Sequence, residues 1–182
     1  QGTLEGWLEA ARHGRESSVI TRVMLAAAFA SVLVEPCDAL PFVVHAWGGT
    51  GAGKTVGLML AASVWADPTA GAFYKTFNAT GVGQEMTAGF LNSLPLCLAE
   101  LQIVKDKQDF DQTIYTLCEG VGRSRGAKAG GLQRMQTWRN AIITTGEMPI
   151  TNSDSGGGAV NRVINMDCRT RSCLPIPAGR YP

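Results

Sequence analysis

The sequence predicts an α/β protein, a mostly parallel sheet with helices on both faces, preceded by an N-terminal helical segment. Three observations carry this. Short β-branched and apolar runs alternate with stretches of helical length along most of the 182 residues, the pattern of strands joined by crossover helices. Several of those runs are apolar enough to be strands covered on both faces. Hydrophobic residues make up 45% and charged residues 17% of the chain, enough for one core in a single domain, and far from a disordered composition.

Residues 4–15 read as an amphipathic helix and 18–34 as a second, alanine-rich and apolar on most faces; both precede a turn at Pro36. The longest strongly apolar run, 23–34, is twelve residues long, short of the roughly 20 that span a bilayer. No membrane segment is expected. Residues 41–47, PFVVHAW, form a strand, followed by a glycine cluster and by an apolar helical pattern over 54–65 that Asp67-Pro68 stops. Residues 73–77 make another strand. Thr80 is suited to cap a helix reaching Leu91, and 94–98 is a third, buried strand. A helix over 109–118 and strands over 141–145 and 162–167 complete the series, without internal repeats. The organisation expected is a helical segment at 1–36 and a core at 37–182, one domain overall.

Charge and cysteines narrow the classes of function. Sixteen basic and 15 acidic residues leave a net charge of +1, so a nucleic-acid or membrane partner has to be argued from local patches. The cysteines at 37, 97, 118, 168 and 173 are odd in number and contain no C-x-x-C, against a disulfide framework and against a zinc site. Reduced thiols in a cytoplasmic protein are the simplest reading. The chain begins with Gln and lacks a charged-then-apolar leader, so secretion is not expected and the chain reads as part of a longer polypeptide.

Glycine is over-represented, at 22 residues, against about 7% in average composition. Part of the excess lies in Gly48-Gly49-Thr50-Gly51-Ala52-Gly53-Lys54-Thr55, which matches G-x-x-x-x-G-K-[ST] between a predicted strand and a predicted helix. A triphosphate needs several backbone N–H groups close to it, and bare glycines allow that approach. Lys54 is then expected on the β- and γ-phosphates of ATP and Thr55 on Mg²⁺, with the helix start adding its dipole.

Such a site needs an acid at the end of a buried strand, and Leu94-Pro95-Leu96-Cys97-Leu98-Ala99-Glu100 is the only good candidate. The first position of the usual Asp-Glu pair is Ala99, which offers no oxygen. Glu100 alone can support slow hydrolysis, the site can bind nucleotide without useful turnover, or another acid such as Asp106 can substitute. The plain alternative is that Glu100 carries a core strand out into solvent.

No acidic residue occurs between Glu119 and Glu147, whereas Arg123, Arg125, Lys128, Arg134 and Arg139 fall there among five glycines. This cationic stretch suits a phosphate backbone, with Trp138 or Tyr115 available for stacking. A solvated loop, or one packed on a neighbouring subunit, has the same composition.

The segments HAWGGTGAGKT, LPLCLAEL, YTLCEGVGRSRGAKAGG, TWRNAIITTGE and GGGAVNRVINMD together resemble a bacterial and phage family, domain of unknown function 927, over residues 20–168. That family is similar to superfamily 3 helicases. The resemblance implies a P-loop NTPase of AAA+ type, a homo-oligomeric ring such as a hexamer, and action on single-stranded DNA within a phage or mobile element. It implies that Lys54 and Thr55 hold ATP and Mg²⁺, that Glu100 serves the hydrolytic water, and that Thr145 or Glu147 senses the γ-phosphate. Arg162, ahead of the last strand, looks like an arginine finger for a neighbour's nucleotide. Two further functions compete with an ATP-driven motor. One is a nucleotide-gated binding module, silent because of Ala99; the other is a small-molecule phosphotransferase, for which no acceptor pocket or arginine-rich lid is evident.

Overall fold

Strand β1, Phe42–Trp47, lies inside a five-stranded sheet in which every pairing is parallel. In this computed structural model the described residues are 2–77, 80–100, 107–124, 135–151 and 161–169, with side chains of the fifth helix described from residue 113 onward. The chain runs α1 (Leu4–Ser17), α2 (Val19–Ala30), a 3₁₀ turn (Ser31–Leu33), β1, α3 (Lys54–Ala62), β2 (Lys75–Thr76), α4 (Gly81–Leu91), β3 (Leu96–Ala99), α5 (Lys107–Glu119), β4 (Ala141–Gly146) and β5 (Val163–Asp167). The sheet order is β2-β3-β4-β1-β5. The α/β architecture read from the sequence is the observed one, and the sheet is wholly parallel.

Alternation along the strands divides the core into two layers. Val44, Ala46, Cys97, Ala99, Ala141 and Ile143 pack with Met24, Ala28, Leu58 and Ala61 of α2 and α3. Val43, Leu96, Leu98, Ile142 and Val163 pack with Ala88 of α4 and Ile114 and Leu117 of α5. Each fully buried Val, Leu, Ile or Met among these contributes about 1.5–3 kcal/mol, so both faces bind the sheet to its helices. The N-terminal helices belong to this core: α2 supplies part of the first layer, and Trp7 of α1 donates to Ser63 Oγ at the end of α3.

Most elements form where the sequence expects them, and the differences have local causes. The helix read over 18–34 is α-helical to Ala30 and tightens into the 3₁₀ turn from Ser31, whose hydroxyl donates to Ser93 O and accepts from Ala141 N at the foot of β4. Strand β3 starts at Leu96, one residue after Pro95, whose missing N–H cannot join a ladder. The strand read over 73–77 shrinks to two residues on the sheet edge, where only β3 is available for pairing. Among the described residues no helix is long and apolar enough to cross a membrane.

Candidate functional site

Parallel register brings several strand ends to one level. Trp47 of β1 is opposite Gly146 of β4 on one side and Asp167 of β5 on the other. Leu98 of β3 pairs with Thr144, so Ala99 and Glu100 run beside Thr145 and Gly146. After β1 the chain crosses to the far edge at β2; after neighbouring β4 it crosses the other way, over β1 to β5. Such divergence opens a crevice at the carboxyl ends of the strands, where α/β sheets take their ligands.

The glycine loop fills that crevice. Gly48 has φ +147°, Gly51 +83° and Gly53 +79°, conformations that L side chains rarely adopt. At Gly48 a Cβ would also stand 3.3 Å from Cys168 Cβ and 3.4 Å from Arg169 N, because β5 leaves the sheet against the start of the loop. Thr3, Ser18 and Thr80 cap α1, α2 and α4 with their hydroxyls, whereas α3 begins at Gly53 without a side-chain cap. The first N–H groups of α3 are thus left for a ligand, with the positive end of the helix dipole behind them. Lys54 Nζ donates to the carbonyls of Gly48 and Gly49, both at 2.8 Å, which holds its charge over the loop. Thr55 is exposed on the first turn.

Two carboxylates flank this loop. Glu147, one residue beyond β4, accepts from the Thr50 hydroxyl at 3.4 Å. Glu100, one residue beyond β3, is exposed and has φ +59°. A glutamate pays on the order of 1–2 kcal/mol for that left-handed backbone. Thr145 is buried one residue before the end of β4, and the Ala99 methyl, 3% exposed, belongs to the hydrophobic layer under α3. Hydroxyl and carboxylate oxygens are a donor set suited to Mg²⁺. Among the described residues no cluster of three or more His, Cys, Asp or Glu could hold a metal on its own. Magnesium would therefore take most of its ligands from phosphate and water, with Thr55 as the protein's hydroxyl.

The segment that carries Glu147 is fastened from below. His45 of β1 lies level with Thr144 and Asn165, all on the α4/α5 face. The His45 ring makes hydrogen bonds with Thr144 Oγ1 at 2.8 Å and with Met148 O at 2.9 Å. A carbonyl only accepts, so Nε2 carries the proton and Nδ1 accepts from the threonine hydroxyl. Asn165 accepts from Ile150 N at 3.1 Å and donates to Thr151 Oγ1 at 2.5 Å. Burial pushes the His45 pKa down to about 4, and the nearby Lys54 charge acts in the same direction, against the Met148 hydrogen bond. The imidazole is neutral at pH 7.

The remaining candidates are distributed differently. Arg162 sits at the amino end of β5, where its carbonyl accepts from Val43 N at 2.8 Å, on the edge of the sheet opposite the glycine loop. Arg123 is tied to Glu85 of α4, a buried carboxylate that accepts from the Arg123 backbone N–H at 3.2 Å and lies 3.9 Å from its Nε. Arg125, Lys128 and Arg134 lie outside the described residues, as does Asp106. Arg139 donates to Ala39 O, at the base of the fold. Trp138 is fully buried with its indole N–H on Leu117 O; the stacking role read for it from composition is closed to it, since its ring is a core element. Cys37, Cys97, Cys118 and Cys168 are free thiols. Burial pushes Cys97 up to about 12 and Cys118 up to about 11, so neither is a nucleophile.

Sequence reasoning missed His45, Asn165, Trp47, Asp167 and Arg169. The last three meet beside Gly48: Arg169 pairs with Asp167 at 2.7 Å and lies over the Trp47 ring, 4.3 Å from its centroid. The available signal was positional, a tryptophan directly before the loop and an Asp-Cys-Arg that begins at the last residue of the last strand.

The family described as domain of unknown function (DUF927) matches residues 1–138, which include the glycine loop and Glu100 and stop short of β4. No curated protein matches the chain. Among solved structures, the SCCmec type IV Cch active helicase superposes with a TM-score of 0.70 at 22% identity, over 97% of this chain and 33% of that chain. The chain thus spans about a third of that helicase's length, and the likeness is one of fold.

Proposed function

The chain belongs to the DUF927 family, and from that premise we propose that it is the ATP-binding and ATP-hydrolysing motor module of a DNA helicase-like protein from a mobile element or phage. The observation that carries this reading is the shared edge on which the uncapped α3, Lys54, Thr55, Glu100 and Glu147 stand around one glycine loop. The fold likeness to a helicase supports it. Backbone N–H groups from Gly48 to Lys54 cradle the phosphates, with Gly49, Thr50, Gly51, Ala52 and Gly53 forming the rim, and Lys54 meets the β- and γ-phosphates. Magnesium, when bound through Thr55, neutralises charge on the phosphates. Glu100 orients the water and takes its proton as the oxygen attacks the γ-phosphorus and the bond to ADP breaks. Thr145 or Glu147 registers the γ-phosphate, and Arg162 serves a neighbouring subunit's nucleotide within a ring. Arg123, Arg125 and Lys128 follow the backbone of single-stranded DNA.

One observation favours a second reading, a nucleotide-gated module without turnover: the methyl of Ala99 stands where a metal-binding carboxylate would be expected. ATP binding and turnover, measured separately with Mg²⁺ and single-stranded DNA, distinguish the two. Lys54→Ala should weaken ATP binding by about 10- to 100-fold, the loss expected for a charge-assisted contact. Glu100→Gln should keep binding and lower turnover by about 10²- to 10⁴-fold. Wild-type binding without turnover selects the gated module, and ATP binding indifferent to Lys54 rejects both.

A further inference from the structure

The flank of the loop away from Glu100 and Glu147 carries a built cluster to which the proposed hydrolysis assigns no task. Trp47 ends β1 one residue before Gly48, and Asp167 ends β5 in register beside it. Arg169 lies against the loop, its Cγ 3.5 Å from the position of a Cβ on Gly48. Its guanidinium is forked onto Asp167, with Nη2 donating to Oδ2 at 2.7 Å and Nε to Oδ1 at 3.0 Å and Oδ2 at 3.1 Å. The Arg169 backbone N–H donates to the same carboxylate at 2.8 Å. Behind the fork the Trp47 ring supports the guanidinium at 4.3 Å. The side chain nevertheless remains 63% exposed. A planar cation is thus fixed in orientation by a bidentate carboxylate and an aromatic backing, and open to solvent beside the loop.

Sheet order gives this position a meaning. In β2-β3-β4-β1-β5 the two carboxylates follow β3 and β4, on one side of β1, and the cluster follows β5, on the other. A nucleotide with its terminal phosphate toward the carboxylates and its phosphates along the loop extends its ribose and base over the β5 flank. We propose that Arg169, held by Asp167 and Trp47, is the platform on which the base of the bound nucleotide stacks. The inference rests on the loop being a nucleotide site and adds its nucleoside half. A guanidinium backed by an aromatic ring stacks on any base face, and such a layer is an established way of holding a nucleobase by its π-surface.

Comparing ATP with inorganic tripolyphosphate isolates this half, because tripolyphosphate engages the loop and has no base. Arg169→Ala should weaken ATP binding about tenfold and leave tripolyphosphate binding unchanged, whereas Lys54→Ala should weaken both. Arg169→Lys keeps the charge and loses the plane, and should behave as the alanine variant does. Thermal unfolding of each variant verifies that this exposed position leaves the fold intact. Equal loss of ATP and tripolyphosphate in Arg169→Ala would make the residue a phosphate contact and overturn the proposal. Unchanged ATP affinity in that variant, or wild-type affinity in Arg169→Lys, would overturn it while leaving the loop reading standing. If Lys54→Ala weakens neither ligand, the loop reading fails and the platform falls with it.

Discussion

His45 illustrates how one side chain can set a pH limit on the site without touching a ligand. Its ring is fully buried between Thr144 and the Met148 carbonyl, and burial pushes its pKa from 6.5 down to about 4. The unfolded chain therefore binds a proton at a pH where the folded chain does not. Stability from this residue is complete above about pH 6.5 and is lost as the pH falls from there through 4, a total of about 3 kcal/mol. Urea midpoints measured from pH 4 to 7 should fall more steeply with acid in the wild type than in His45→Gln, by about one proton's worth of slope. Parallel curves would show that His45 is not the titrating group. The same ring holds Met148, next to Glu147, so acid should loosen the acidic rim of the loop as it destabilises the fold. None of this was legible in HAWGGTG, because the partner carbonyl lies 103 residues further along the chain. Glu100 is the opposite case: its place after an apolar run is a sequence signal, and only its backbone strain required coordinates.

Elements were more legible than their edges, since hydrophobic period and caps are local properties, whereas strand ends depend on partners. Thr80 announced where α4 begins, but β3 starts two residues later than its apolar run suggested, and the two residues of β2 are set by how far β3 extends beside them. The cationic stretch shows the same division. Its composition was evident, while its closure is a tertiary fact: Val121 and Thr137 pair antiparallel, Gly122 N donates to Gln136 O at 2.8 Å, and Trp138 N donates to Gly120 O at 3.0 Å. Buried Trp138 anchors one strand of this neck, and the Glu85 carboxylate of α4 holds Arg123 at the end of the other. If the stretch follows single-stranded DNA, the triple variant Arg123→Ala, Arg125→Ala, Lys128→Ala should lower affinity. The slope of log affinity against log salt should flatten by up to about 2, at roughly 0.7 per phosphate contact. Arg123 should account for the smallest share, being committed to Glu85. An unchanged salt slope would take the stretch out of the DNA interface.

At the scale of the whole molecule the glycine loop and Arg162 lie at opposite ends of the strands. The glycine loop follows the last residue of β1, and Arg162 sits beside Val43, near the first. Four residue steps of strand, at about 3.3 Å each, separate the two levels by roughly 13 Å, beyond the reach of an arginine side chain of about 7 Å, so a subunit does not complete its own site with Arg162. If Arg162 acts on nucleotide it acts on a neighbour's, and a ring of copies is then part of the catalyst. A finger of this kind is worth about 10³- to 10⁵-fold in turnover, so Arg162→Ala alone should be nearly inactive while still binding ATP. Lys54→Ala should be nearly inactive because it holds ATP weakly and lacks the charge that meets the γ-phosphate. Mixing the two variants creates interfaces in which an intact loop from the Arg162 variant faces an intact arginine from the Lys54 variant. Turnover should then return, rising with the mixing ratio to a maximum near equal amounts. A mixture as silent as its components, with mixed assembly verified by differently tagged copies, would mean that Arg162 does not work across a subunit boundary, and the ring would lose its catalytic rationale.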